Sequence, residues 1–71
     1  MERDAYKVTL EAARVNAGLS RLEASRRIGI SVNTIASYET GRTSPTVQML
    51  KTMCRVYNAP IDSISFAKES G

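Results

Sequence analysis

Apolar residues recur at three- and four-residue steps in short runs, each closed by a glycine or asparagine and most reopened by a serine. Leu10, Ala13 and Ala17 mark one side of a first helix with its body over Leu10–Ala17 and a start reaching back towards Asp4; Val8, Ala12 and Val15 widen that side. Side chains at this spacing share one helical face. Gly18 follows where a left-handed residue stops a helix. Ser20 then predicts an N-cap, and Glu23 three residues on completes a capping box. This second helix runs through Ile28 and ends at Gly29, and Ser31 caps a third from Val32 to about Thr40, ended by Gly41. Beyond the loop Arg42-Thr43-Ser44, Pro45 is placed to start a fourth helix and disfavours helical geometry at Ser44. Val47, Leu50, Met53, Cys54 and Tyr57 form one apolar stripe, which Asn58 stops. After Pro60, Ile61 and Ile64 predict a last helical turn with Phe66 just beyond; of the C-terminal tail 67–71, Lys68 to Gly71 are expected to fray.

The expected fold is therefore all-α: one compact five-helix domain over residues 1–71, with its core region at 8–66. The predicted core is Leu10, Ala13, Leu19, Ala24, Ile28, Ile30, Ile35, Tyr38, Val47, Leu50, Met53, Cys54, Tyr57, Ile61 and Ile64. A chain of 71 residues buries only about 60% of its unfolded surface, so its stability margin is thin. Disulfides and structural metal are the usual supports at this size. With one cysteine, Cys54, and no histidine, neither is expected here, and Cys54 reads as a core filler. The missing histidine also removes Ser/His and Cys/His catalysis, and no glycine-rich phosphate loop is present; no enzyme activity, cofactor or small-molecule ligand is expected. No apolar run approaches the roughly 18 residues of a membrane span. Met1-Glu2-Arg3-Asp4 lacks a signal-peptide layout. The expected location is cytoplasmic, which the lone thiol fits.

The net charge of +3 is unevenly spread. Residues 21–42 carry Arg21, Arg26, Arg27 and Arg42 against Glu23 and Glu39, whereas the first twenty residues balance. That excess suits a polyanionic partner, although Arg26-Arg27 also reads as a plain solvated face. Within the same stretch, two capped helices joined through Ile28-Gly29-Ile30-Ser31 form a helix-turn-helix at about residues 20–40. In the third helix Ile35 and Tyr38 face inward, leaving Val32 and Asn33, then Ala36 and Ser37, on a small uncharged surface. A helix fits the major groove, where an amide pairs with adenine and a methyl packs on thymine. Arg21 and Ser31 sit at helix N-termini suited to phosphate, and Arg42 lies in the following loop. The plain alternative is that Val32, Asn33 and Ser37 are idle surface.

Taken together, Arg14, Gly18-Leu19-Ser20, Ile28-Gly29-Ile30-Ser31, Thr34-Ile35, Tyr38-Glu39, Gly41, Pro45 and Ile61-Asp62 to Ile64 resemble the lambda-repressor-like (Cro/cI, Xre-type) helix-turn-helix regulators over roughly residues 8–66. The resemblance implies a sequence-specific regulator of transcription that binds double-stranded DNA through the major groove. It implies base contacts by Val32, Asn33 and Ser37, and phosphate contacts by Arg21, Ser31, Thr34, Arg42 and Thr43. It also implies an ion pair between Arg14 and Glu39. A repressor acting as a homodimer on a palindromic operator is the expected form, with recognition helices about 34 Å apart. Ile61, Ile64 and Phe66 are candidates for the dimer contact, Phe66 foremost, since the two isoleucines equally serve to close the monomer core. The chain departs from the family pattern at Arg21, where glutamine is usual, and at Ala24-Ser25, where Leu-Ala is usual. The smaller Ala24 leaves volume for Leu22 or a neighbour to fill. The other function open to such a fold is a protein-interaction module, an antitoxin or antirepressor partner.

Overall fold

Among the described residues, a hydroxyl starts each α-helix and a left-handed residue follows its end. The computed structural model describes residues 8–65, so Asp4, Phe66 and the tail 67–71 lie outside the described residues. Its helices are α1 (Leu10–Asn16), α2 (Arg21–Ile28), α3 (Val32–Thr40) and α4 (Val47–Tyr57). Thr9, Ser20, Ser31 and Thr46 precede them in extended backbone, and their side-chain oxygens accept from the amides of Ala12, Glu23, Thr34 and Met49. Each such cap stabilises its helix by about 1 kcal/mol. At Ser20 the box is complete, because Glu23 Oε1 accepts in return from the Ser20 amide at 2.9 Å.

The closures repeat as well. Gly18, Gly29, Gly41 and Asn58 have positive φ. After each, the next amide donates to the carbonyl five residues back: Leu19 to Arg14, Ile30 to Ser25, Arg42 to Ser37 and Ala59 to Cys54. This wrap satisfies carbonyls that the helix leaves open. At Gly29, φ is 91° and an added Cβ would meet nothing within 4 Å. The turn between α2 and α3 therefore needs glycine for its backbone conformation rather than for space.

Four α-helices are present among the described residues, where the hydropathy pattern predicts five. The expected last helix is a three-residue 3-10 turn, Ile61–Ser63, and Ile64 leaves it in extended geometry at φ −90° and ψ 133°. Pro60 supplies no side-chain cap there. Ile64–Ser65 (β2) instead pairs in parallel with Val8–Thr9 (β1), in the register Val8 with Ile64 and Thr9 with Ser65. The first helix consequently begins at Leu10 rather than further back, because Val8 and Thr9 are committed to that pairing.

The core joins all four helices and β2: Leu10, Ala13, Ala24, Ile35, Leu50, Met53, Cys54, Tyr57 and Ile64. Ile35 and Met53 are fully enclosed. Leu19, Ile28, Ile30 and Tyr38 pack against this cluster half-buried, as do Met49 and Val56. Two residues expected in the core are not there: Val47 is 68% exposed and Ile61 is 38% exposed. Val47 shares the angular stripe of α4 but is its first residue, where the stripe runs past its partners; the helix starts there, capped by Thr46, and not at Pro45 as expected. Val15 is likewise exposed. Ala24 is completely buried while Leu22 is exposed, so the space beside the small residue is not filled by Leu22. Ser25, beside it, satisfies its buried hydroxyl by donating to the Leu22 carbonyl at 2.8 Å.

Candidate nucleic-acid interface

α3 divides cleanly along its length. Ile35 and Glu39 are buried, Val32 and Asn33 are exposed, and Thr34, Ala36, Ser37 and Tyr38 lie between. The buried pair sets the helix in place by two different forces. Ile35 is enclosed in the apolar cluster. Glu39, with a side chain wholly removed from solvent, takes three bonds from two guanidinium groups.

Arg14 of α1 donates from Nε to Glu39 Oε2 at 2.7 Å and from Nη2 to Oε1 at 3.3 Å. Its Nη1 reaches the Leu19 carbonyl at 2.9 Å, which ties the α1–α2 link to the same point. Arg21, the first residue of α2, adds a bond from Nε to Glu39 Oε1 at 3.0 Å. Three helices thus meet at one carboxylate, and the surplus positive charge falls on Arg21, the more exposed of the two arginines. Bidentate pairing of this kind is strong because the guanidinium fork matches the carboxylate. The Glu39 carboxylate beside Arg14 raises that arginine's already high pKa further. Tyr57 of α4 stands by the same cluster. Burial, reinforced by Glu39, pushes its phenol up to about 12, and its hydroxyl has no hydrogen-bond partner among the described residues.

On the outer side, Ser31 and Thr34 share a bond between their hydroxyl oxygens at 2.9 Å while Ser31 Oγ also accepts from the Thr34 amide. Whichever hydroxyl donates, one proton of the pair is left for an outside acceptor. At the other end, the amides of Arg42 and Thr43 both donate to the Ser37 carbonyl, at 2.9 and 3.3 Å. This folds the loop back along α3. Two shallow depressions result, one lined by Asn33, Ala36, Ser37, Thr40 and Arg42, the other by Asn33, Thr34, Ser37, Tyr38, Thr43 and Ser44. Asn33 and Ser37 border both, and so form the ridge between them.

Val32, Asn33, Ser37, Ser31, Thr34, Arg42 and Thr43 lie on or beside the open side of α3, whereas Arg21 bonds Glu39 on the helix's buried side and lines neither depression. Ile64 is only 6% exposed and is packed in its own core, so it offers no surface to a second subunit. Ile61 remains at the surface, and Phe66 lies outside the described residues. Sequence reasoning missed the second partner of Glu39. An arginine at the start of one helix and an acid in the last turn of the next carry no short-range signal of contact.

No helix among the described residues is long and apolar enough to cross a membrane. A family model described as Helix-turn-helix matches residues 10–64. Searches of curated proteins and of solved structures returned no significant match.

Proposed function

Since the chain belongs to the helix-turn-helix family of Cro/cI and Xre type, whose members are DNA-binding transcription regulators, we propose that it is a sequence-specific repressor that binds a palindromic operator as a homodimer. The observation that carries this reading is the ridge of Asn33 and Ser37 on α3, open to solvent and flanked by Ser31 at one end and Arg42 at the other. α3 enters the major groove, where Val32, Asn33 and Ser37 meet base edges. Arg21, Ser31, Thr34, Arg42 and Thr43 hold the phosphates on either side and set the register.

The phosphate contacts of the loop come from side chains, because the amides of Arg42 and Thr43 are engaged by Ser37. Amides at the starts of α2 and α3 are different. The first amides of a helix have no intrahelical acceptor, and together with the helix dipole they favour an anion. Arg21 stands at one such end with its Nε held by Glu39, so its charge is presented without a search over rotamers. Repression follows from occupancy alone: a protein seated in the groove excludes others from the same base pairs, and no second surface is required. A single short helix reads few base pairs, so two copies about 34 Å apart multiply both affinity and specificity. Among the described residues, Ile61 is the candidate left for the contact between copies.

Selection from a random duplex library at about 150 mM salt, where nonspecific binding is weakened, tests this. The expected product is an inverted repeat with half-site centres about one duplex turn apart. Enrichment of one asymmetric half-site would remove the homodimer. No enrichment by folded protein would remove DNA reading and favour a protein partner. Arg42→Ala is expected to flatten the salt dependence of binding by about one unit on every sequence.

A further inference from the structure

Which bases an α-helix can distinguish depends on the groups it has left after folding. In the major groove, guanine is read chiefly by arginine or lysine on O6 and N7, and cytosine by a carboxylate on N4. Adenine is read by asparagine or glutamine on N6 and N7, and thymine by apolar contact with its methyl. α3 can be inventoried against these pairings. Its sequence, VNTIASYET, contains no arginine or lysine, which removes the guanine reader. Its one carboxylate, Glu39, is buried under Arg14 and Arg21, which removes the cytosine reader.

The hydroxyls narrow the set further. Thr40 Oγ1 is turned back onto the helix, donating to the Ala36 carbonyl at 3.0 Å. Thr34 is bonded to Ser31, and the one proton that this pair leaves is assigned above to phosphate. With Tyr38 packed half-buried against the core, what remains on the open side is the Asn33 amide, the Ser37 hydroxyl, and the methyls of Val32 and Ala36. Neither Asn33 nor Ser37 has a side-chain hydrogen-bond partner among the described residues. A serine makes one bond and accepts any base; the other groups favour adenine and thymine. Among the described residues, the cationic side chain that lines these depressions is Arg42, at the C-terminal end of the helix.

Resting on the function proposed above, we infer that α3 reads only adenine and thymine. The operator half-site beneath it is A·T-rich, and any obligatory G·C pair lies at the edge beside Arg42. Specificity in this regulator is then carried by one amide and two sets of methyl groups.

The duplex selection already described, repeated with Asn33→Ala and followed by base analogues in the selected site, decides the matter. The expected wild-type half-site has consecutive A·T pairs, and Asn33→Ala erases the preference for adenine at one of them. That loss should be about fivefold to 150-fold, the discrimination of one bidentate pair. Uracil in place of a thymine contacted by Val32 or Ala36 should weaken binding about fourfold, the value of one methylene-sized apolar group. Replacing the same adenine by 7-deazaadenine, which removes the N7 acceptor and keeps the N6 donor, should weaken the wild-type protein by part of the Asn33→Ala loss and leave the variant unchanged. A selected half-site with guanine or cytosine required at the position that Asn33→Ala relaxes would overturn the inference while leaving DNA binding intact. So would uracil substitution without effect at every thymine. Failure to enrich any sequence would overturn it together with the reading on which it rests.

Discussion

The helix-turn-helix half of the molecule and the clasp that closes its ends are built by opposite means. α2 and α3 are each capped by a serine, each closed by a left-handed glycine, and pinned by a carboxylate buried between two arginines. Several interactions act on the same geometry, so the orientation of α3 is fixed by their sum, with the buried carboxylate as the largest single part. The clasp has two residue pairs, Val8 with Ile64 and Thr9 with Ser65, and one buried side chain, Ile64, to hold them. A two-stranded pairing is marginal by itself. It persists because Ile64 completes the core. The contrast shows where this small domain concentrates its rigidity: beside the candidate DNA surface, with the far end left to a single apolar anchor.

The largest expected effect attacks the strong side. Glu39→Ala leaves the buried Arg14 guanidinium without its carboxylate, and loss of one partner of a buried pair costs about 3 kcal/mol or more. Thermal unfolding should show a fall in Tm of well over ten degrees for a domain this small; a shift of only a few degrees would mean that α3 is held by packing alone. Next comes the weak side. Ile64→Ala should cost about 2 kcal/mol or more by emptying a core position, and DNA affinity measured well below Tm should be unchanged. Loss of affinity in parallel with stability would show that the two regions are one cooperative unit.

Tyr57→Phe should have little effect at pH 7, because it removes a hydroxyl that has no hydrogen-bond partner. Its effect lies at alkaline pH. A folded-state pKa raised to about 12 means that the neutral phenol is favoured by the fold. The resulting contribution is complete below the unfolded value near 10 and is lost as pH rises towards 12. The variant should therefore keep more of its stability than the parent between pH 10 and 12, followed by circular dichroism. Identical alkaline unfolding would place the hydroxyl in contact with water. The smallest effect is at Val47, where Val47→Ala should change stability by less than about 0.5 kcal/mol. A cost like that of a core residue would return Val47 to the interior.

Local chemistry made most of the fold legible before the structure was known. The serine caps, the capping box at Glu23 and the stops at Gly18, Gly29, Gly41 and Asn58 are written within a few residues of where they act. Periodicity then separated Ile35 from Asn33 and Ser37, which identified the open face of α3. What escaped was non-local or too short to have a period. Two-residue strands show no alternation, so Ile64 read as the last turn of a helix. Val47 fits the α4 stripe by angle, and only the position of its neighbours reveals that the stripe has run out of partners. At the candidate site, residue types could be read in advance but their hydrogen-bonding state could not. That Thr40 is spent on Ala36, and that Glu39 holds Arg21 as well as Arg14, are facts of distance.

The repeated helix closures have a consequence for how the chain folds. Each cap and each left-handed wrap joins residues no more than five positions apart, so little loop entropy is lost in making them. Chains dominated by such local contacts fold in microseconds to milliseconds. The clasp, in contrast, can form only after nearly the whole described chain has been brought together, and it should be among the first elements to open. In native-state hydrogen exchange the amides of β2 should exchange through a low-energy local opening, while those of α2 and α3 wait for global unfolding. The protein would then spend part of its time with the pairing of β1 and β2 undone and α3 still in place.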